Sequence, residues 1–177
     1  MKLIVLDRDG VINQDSAAFI KNPDEWRPIA GSLNAIARLN QAGFHVIVAT
    51  NQSGISRGLL DMTALNAIHD KMHKALAQAG AHVDAIFYCP HAETDACNCR
   101  KPKPGMLEDI AHRLNTPLND VPMVGDSLRD LQAAKEAHAV PLLVLTGKGK
   151  KTLRDGGLPV GTRVFADLAA AVDTLVA

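Results

Sequence analysis

The fold of this chain is decided by the stretch Leu3-Ile4-Val5-Leu6-Asp7-Arg8-Asp9-Gly10-Val11. Its four leading apolar residues are typical of a short buried strand, and the turn signal that follows places Asp7 and Asp9 together at the strand's carboxyl end. Open α/β sheets carry their chemistry at that edge. Two carboxylates aimed at one small volume repel each other unless a cation or a shared proton intervenes, so the motif favours a divalent metal. Taken alone, it is equally compatible with an acidic turn that caps the next element.

Similar apolar runs recur along the chain, and amphipathic helical patterns separate them. The predicted strands span 3–6, 46–49, 85–88, 121–124 and 142–145, with a weaker one at 164–165. Ser32 is predicted to cap a first helix and Asp61 a longer one, and later helical patterns cover 105–114, 127–138 and 167–176. Because each crossover lays a helix over the sheet, this alternation predicts a three-layer, doubly wound, Rossmann-like parallel α/β sheet.

Length and composition narrow the classes of function. A chain of 177 residues is long enough for one well-buried domain and short for two, so we expect a single domain over 1–177 without a large inserted cap. Lys plus Arg and Asp plus Glu both number 19, which does not favour a polyanion-binding surface. No apolar stretch has the length of a membrane span, and no signal-peptide pattern opens the sequence. We therefore expect a cytoplasmic monomer that binds neither nucleic acid nor a membrane.

The second predicted strand ends in polar residues at the same sheet edge as Asp7. It runs into Ala49-Thr50-Asn51-Gln52-Ser53-Gly54, where a hydroxyl and backbone N–H groups offer a neutral cradle for phosphate oxygens. The alternative is an ordinary polar turn, since Thr, Asn and Ser-Gly are common turn residues.

A short cationic segment precedes the helical pattern at 105–114. It reads Cys99-Arg100-Lys101-Pro102-Lys103-Pro104-Gly105, and its two prolines stiffen it. Rigid cations beside a carboxylate cluster suit a dianionic ligand such as phosphate. We favour Arg100 and Lys101 as ligand contacts over Lys103, which fits a solvated surface charge.

The fourth predicted strand ends in Val124-Gly125-Asp126-Ser127-Leu128-Arg129-Asp130. Asp126 stands just past the strand, like Asp7, and completes a set of oxygen ligands suited to Mg²⁺. Asp130 has two interpretations. Its S-x-x-D spacing from Ser127 is that of a capping box, and the same carboxylate could instead orient the partners of a metal ligand.

All three cysteines of the chain lie in one segment. Cys89, His91, Cys97 and Cys99 supply the Cys₃His set of a tetrahedral structural zinc site, whereas a lone Cys or His would more commonly be inert. Because Cys99 adjoins Arg100 and Lys101, zinc in this loop, 89–105, would fix both cations near the phosphate. The coordination shows no open position, so we do not assign the zinc a catalytic role.

The motifs D-x-D-G, T-N, K-P and G-D-x-x-x-D occur in the order that is found in the haloacid dehalogenase-like phosphatases, which the chain resembles over most of its length. The resemblance implies phosphoryl transfer through an aspartyl-phosphate, with Asp7 as nucleophile and Asp9 as general acid and base. It also implies Mg²⁺ held by Asp7, Asp126 and the backbone carbonyl of Asp9. Thr50 and Lys101 would hold the transferring phosphoryl group.

Within this superfamily the chain resembles the D-glycero-D-manno-heptose 1,7-bisphosphate 7-phosphatases. DRDGVIN at 7–13, TNQSGISRG at 50–58, the C-P-H and C-x-C-R-K-P-K-P-G elements at 89–105 and VGDSLRD at 124–130 carry the likeness. It implies a cytoplasmic enzyme that acts on a phosphosugar in the supply of ADP-heptose for lipopolysaccharide. The implied substrate contacts are Asp15, Ser16, Ala17, Ala18, Thr50, Asn51, Gln52, Ser53, Arg100 and Lys101.

Three alternatives stay open from the sequence. Histidinol-phosphate phosphatases have a similar zinc loop, although their T-N-Q is followed by D-G-L-G-T rather than the S-G-I-S-R-G of this chain. A phospho-accepting receiver domain also joins Asp, Mg²⁺, Thr and Lys on a doubly wound sheet, but it has no zinc loop. A module that only binds phosphorylated ligands would have no need of an acid/base residue such as Asp9.

Overall fold

The computed structural model describes residues 1–177 as six parallel strands in the order β3-β2-β1-β4-β5-β6, flanked by helices. The strands are β1 (Lys2–Leu6), β2 (Phe44–Asn51), β3 (Ala85–Cys89), β4 (Pro122–Gly125), β5 (Val140–Val144) and β6 (Arg163–Phe165). The helices are α1 (Ser32–Gln41), α2 (Met62–Gln78), α3 (Gly105–Arg113), α4 (Leu128–Glu136), α5 (Gly149–Asp155) and α6 (Leu168–Leu175). The predicted doubly wound parallel sheet is confirmed, and no inserted cap domain interrupts it.

The sheet separates two apolar layers. Successive side chains of a strand point to opposite faces. Ile4 and Leu6 accordingly pack with α1, α2 and α6, whereas Leu3 and Val5 pack with α3 and α4. Burial on both faces explains why the strands read as nearly continuous apolar runs.

The order of the strands reverses beside β1, and this reversal locates the site. β1 pairs with β2 on one side and with β4 on the other. The chain therefore leaves β1 at a topological switch point, where the loops on either side diverge and open a crevice. Asp7 follows β1, and its backbone N–H donates to the Val124 carbonyl at 2.9 Å, which fixes the two strand ends together.

Two features of the helices differ from the sequence prediction. Gly31, at a φ of 87°, is the N-cap of α1, and Ser32 is the first helical residue, so the predicted Ser32 cap is wrong. The Ser32 hydroxyl instead donates to the Val11 carbonyl at 2.7 Å and joins α1 to the loop after β1. The short helix α5 was not predicted, because four of its seven residues are charged and no apolar stripe marks it.

The predicted start of α2 is confirmed, since the Asp61 side chain accepts from the Ala64 N–H at 2.8 Å. None of the helices combines the length and the apolar character that crossing a membrane requires.

Candidate active site

A cavity of about 290 Å³ opens at the carboxyl edge of the sheet, where β1, β2 and β4 end. Only three of its eighteen lining residues are hydrophobic, so it suits a polar, charged ligand. The predicted residues that line it are Asp7, Asp9, Asp15, Ser16, Ala17, Asn51, Gln52, Ser53, Arg100, Lys101 and Asp126. Ala18 and Thr50 do not line it.

Three buried carboxylates meet at the base of the cavity. Single oxygens of Asp7, Asp126 and Asp130 all lie within 4.8 Å of one another. Oδ2 of Asp130 accepts from the Ser127 N–H at 3.1 Å and the Ser127 hydroxyl at 3.0 Å, while its Oδ1 lies 2.6 Å from Lys101 Nζ. Asp130 thus both caps α4 and anchors Lys101, which joins the two interpretations that the sequence left open.

Lys101 is a buried ammonium held between carboxylates. Its Nζ lies 3.1 Å from Asp7 Oδ1 and donates to the Ala49 carbonyl at 2.8 Å, in addition to its contact with Asp130. Burial disfavours the charged form, but the charges of Asp130 and Asp7 outweigh it and raise the pKa of Lys101 above its usual value. The ammonium therefore stays charged beside Asp7.

One lysine does not neutralise three carboxylates. Burial, followed by the charge of Asp130, raises the pKa of Asp7 well above its usual value and that of Asp126 to about 7. The Lys101 charge acts chiefly on Asp130, whose pKa it lowers against the effect of burial. Asp7 and Asp126 are thus carboxylates that lack a full countercharge, and their hard oxygen donors are those that Mg²⁺ prefers.

A glycine brings the first loop against Asp126. Gly10 has a φ of 84°, and a Cβ added there would overlap the Asp126 carboxylate. Only glycine accepts both the left-handed backbone and this close approach. The glycine of D-x-D-G therefore lets the loop after β1 lie directly against Asp126, which follows β4.

Asp9 stands apart from the carboxylate cluster and has its own partners. Its Oδ1 accepts from Arg8 Nε at 2.9 Å and from Asn13 Nδ2 at 3.0 Å, while its Oδ2 accepts from Gln52 Nε2 at 3.2 Å. Burial alone would raise the pKa of Asp9, but the Arg8 charge and these hydrogen bonds hold it below its usual value.

The end of β2 links the first motif to the cationic segment. Asn51 Nδ2 donates to the Lys101 carbonyl at 3.0 Å, and the Lys101 N–H donates to Asn51 Oδ1 at 3.1 Å. The Thr50 hydroxyl is buried and accepts from Gln52 Nε2 at 2.9 Å. Asn51 thus fixes the backbone of Lys101, and Thr50 supports Gln52.

Cys89, His91, Cys97 and Cys99 converge on one point, within 4.8 Å of one another. The Cys89 sulfur lies 3.6 Å from His91 Nδ1 and 3.6 Å from the Cys97 sulfur. Burial opposes ionisation of Cys97, but the Arg100 backbone N–H and the neighbouring thiols lower its pKa to about 6. Three sulfurs and one imidazole nitrogen at these separations are the donor set of a closed tetrahedral zinc site. We refer to these four residues as the Cys₃His cluster.

The lining of the cavity includes a guanidinium cluster of three residues, of which the sequence analysis assigned only Arg100. Arg57 and Arg129 line the cavity beside Arg100, and burial together with the Arg129 charge lowers the pKa of Arg100. Arg100 has one acidic neighbour, the exposed Glu93, at 3.8 Å, and Nη1 donates to the His91 carbonyl at 3.4 Å. The cluster is therefore an anion site whose charge is weakly compensated.

Their position just after a strand end could have identified two further cations of the cavity, Arg129 and Lys148. Arg129 lies in the first turn of α4, three residues after Asp126, and Lys148 follows β5 at the same sheet edge. Lys148 Nζ lies 3.4 Å from the Asp15 carboxylate, and both residues line the cavity. Lys103, by contrast, is exposed and donates to the Cys97 carbonyl, in agreement with its lower ranking.

The amino-acid sequence is similar to a family model and to several known phosphatases. Residues 98–171 match the family model described as HAD-hyrolase-like. The chain is 65% identical to D-glycero-beta-D-manno-heptose-1,7-bisphosphate 7-phosphatase of Bordetella bronchiseptica over 99% of this chain and 98% of that protein. It is 56% identical to the protein of the same name from Neisseria meningitidis serogroup A, over 95% and 91%.

A solved structure agrees with these relatives. The crystal structure of D,D-heptose 1,7-bisphosphate phosphatase from B. bronchiseptica, complexed with magnesium and phosphate, superposes with a TM-score of 0.98 at 65% identity and covers 99% of this chain and 98% of that chain.

Proposed function

The chain belongs to the D-glycero-beta-D-manno-heptose-1,7-bisphosphate 7-phosphatase family, and from this membership we propose that it hydrolyses the 7-phosphate of that bisphosphate through an aspartyl-phosphate on Asp7. The observation that carries the mechanism is that one cavity holds two carboxylates, Asp7 and Asp9, which have different partners. Asp7 lies 3.1 Å from the Lys101 ammonium, and Asp9 is held separately by Arg8, Asn13 and Gln52.

In the first step, an Asp7 oxygen attacks phosphorus and forms a P–O bond while the bond between phosphorus and the sugar oxygen breaks. Asp9 gives its proton to that leaving oxygen. The Arg8 charge lowers the pKa of Asp9 in the free protein. An anionic phosphoryl group beside Asp9 opposes its ionisation, so bound substrate favours the protonated form that this step needs.

In the second step, water attacks the phosphorus of the aspartyl-phosphate. Asp9, now a carboxylate, takes a proton from the water, and the bond between Asp7 and phosphorus breaks to release inorganic phosphate. Lys101 offsets charge on the phosphoryl oxygens in both steps, since its ammonium stands beside Asp7 and is fixed there by Asp130.

Mg²⁺ fits the donor set at the base of the cavity. We assign its ligands to the carboxylates of Asp7 and Asp126 and to the Asp9 backbone carbonyl, with Asp130 behind them. When bound, the ion supplies positive charge that lowers repulsion between the nucleophile and the phosphate. The raised pKa values of Asp7 and Asp126 support this, because a dication is the countercharge that they lack.

Zn²⁺ fits the Cys₃His cluster, and we assign it a structural role. The cluster lies at the base of the segment that carries Arg100 and Lys101. The Ser56 hydroxyl donates to Asp95 Oδ2 at 2.6 Å, which ties the same loop to the residues after β2. An ordered loop would keep both cations directed at the substrate.

The guanidinium cluster that lines the cavity supports a bisphosphate as substrate. With the 7-phosphate at Asp7, Arg57, Arg100 and Arg129 are available to the 1-phosphate that is not cleaved, since guanidinium groups form charge-assisted pairs with phosphate. Histidinol phosphate has a single phosphate and would leave this cluster without a partner. The relatives' names specify the β anomer, which we propose for this chain as well.

A phosphate-release screen tests the proposal. The purified chain with Mg²⁺ is compared on both anomers of heptose 1,7-bisphosphate, on fructose 1,6-bisphosphate and on histidinol phosphate. We expect the β-heptose bisphosphate to give the highest kcat/KM. Higher kcat/KM on histidinol phosphate would contradict the assignment of substrate while leaving the phosphatase chemistry in place.

A further inference from the structure

A buried histidine on α2 contacts the arginine that holds Asp9. His69 is 8% exposed and is not among the residues that line the cavity. Its Nε2 lies 3.0 Å from Arg8 Nη1, and Arg8 is itself fully buried. Because Arg8 Nε donates to Asp9 Oδ1 at 2.9 Å, three side chains connect the middle of α2 to Asp9.

The chemistry of the two partners fixes the tautomer of His69. A guanidinium has five N–H donors and no acceptor, so His69 Nε2 must accept and the ring proton must lie on Nδ1. His69 is therefore neutral. In agreement with this, burial, followed by the Arg8 charge, lowers the pKa of His69 to about 4.

The two oxygens of Asp9 have different partners. Arg8 and Asn13 both contact Oδ1, Arg8 through Nε and also through Nη2 at 2.8 Å, whereas Oδ2 is contacted by Gln52. Asp9 itself lines the ligand cavity. Without an acceptor for its Nη1, the fully buried Arg8 would have an unpaired donor in the interior, which costs free energy and disfavours this position of the guanidinium. A displaced guanidinium would take both its Nε and its Nη2 contact away from Oδ1.

We propose that His69 is a positioning residue for proton transfer: by accepting from Arg8, it holds the guanidinium on Oδ1 of Asp9 and so keeps Oδ2 directed at the leaving oxygen. This inference rests on the proposed function, because it assigns the orientation of the acid/base group of that reaction. It predicts an effect only where the leaving group needs a proton.

Two leaving groups separate this role from general damage to the fold. kcat/KM reports the steps up to formation of the aspartyl-phosphate. A sugar alkoxide needs the proton of Asp9 to leave, whereas p-nitrophenolate leaves without it. Misplacing Asp9 should therefore reduce kcat/KM on the heptose bisphosphate and spare p-nitrophenyl phosphate.

The experiment compares His69→Leu, which removes the acceptor, with His69→Gln, which supplies an amide oxygen, both as full chains with Mg²⁺ and Zn²⁺. His73→Leu is the matched control, since His73 is exposed on the same helix. General acid catalysis contributes roughly 10²–10⁴-fold. We expect His69→Leu to lose about 10-fold or more of kcat/KM on the bisphosphate, to change about 2-fold or less on p-nitrophenyl phosphate, and to be largely rescued by Gln. Equal losses on both substrates, or no loss, would overturn the proposal.

A second measurement needs no substitution and no turnover. The ¹⁵N chemical shifts of the wild-type imidazoles at pH 7 should show His69 with an unprotonated Nε2 and a protonated Nδ1. The opposite tautomer, or an imidazolium, would refute the contact even where His69→Leu does not fold.

Failure of the proposed function has a different signature. A wild-type chain that hydrolyses neither substrate would leave His69 no proton transfer to position, and both ideas would fall. An active wild type with an unselective His69→Leu variant would contradict the positioning role alone.

Discussion

Arg100→Ala should weaken binding of the bisphosphate far more than binding of a monophosphate. The Arg100 side chain is 10% exposed, and its acidic neighbour Glu93 is 80% exposed at 3.8 Å, so the guanidinium is sheltered but poorly paired. A charge-assisted hydrogen bond to such a group contributes about 1.5–3 kcal/mol. With a tenfold change for each 1.4 kcal/mol, KM for heptose 1,7-bisphosphate should rise roughly 10- to 150-fold.

Steady-state kinetics on heptose 1,7-bisphosphate and on heptose 7-phosphate would measure this difference, since the second substrate lacks the phosphate that Arg100 is proposed to bind. Arg113→Ala is the matched control, because the Arg113 side chain is 67% exposed and pairs with Asp109 outside the cavity. Lys101→Ala should instead lower kcat on both substrates. Equal increases in KM on both substrates for Arg100→Ala would refute the role of Arg100 in recognising the second phosphate.

Three further outcomes are expected. Asp9→Asn should lower kcat by about 10²–10⁴, because the amide cannot transfer the proton; an unchanged rate would remove Asp9 from that role. Elemental analysis of the purified chain should find one Zn²⁺ in the Cys₃His cluster, and a zinc-free sample with full activity would exclude the structural zinc. His69 should make the fold acid-sensitive: between pH 6.5 and about 4 the unfolded chain binds a proton that folded His69 does not, so stability falls as pH falls. Because the raised pKa values of Asp7 and Asp126 act in the opposite direction over this range, the test is the difference between two variants. In denaturant titrations the wild type should lose about 3 kcal/mol more stability than His69→Gln, and parallel pH profiles would contradict it.

The sequence predicted those features that local pattern determines. Apolar runs followed by Asp7, Thr50 or Asp126 locate the strand ends, and parallel strands must bring those ends to one edge. The Cys₃His cluster was equally visible, because its four members lie within eleven residues, from Cys89 to Cys99.

Other features depend on contacts between distant segments. Arg8 and His69 are separated by 61 positions, and His69 reads locally as one more residue on the buried face of an amphipathic helix. Arg57, in the loop after β2, and Arg129, in the first turn of α4, read as surface charges until the fold brings them beside Arg100. The double role of Asp130 also needed the structure, because a capping box does not show where its second oxygen points.

The central claim is that Asp7 removes the 7-phosphate, and ³¹P NMR of a single reaction tests it most directly. With wild-type chain, Mg²⁺ and heptose 1,7-bisphosphate, the resonance of the 7-phosphate should give way to inorganic phosphate while the 1-phosphate persists, and Asp7→Asn should leave both resonances unchanged. Loss of the 1-phosphate resonance, or wild-type turnover by Asp7→Asn, would contradict the account.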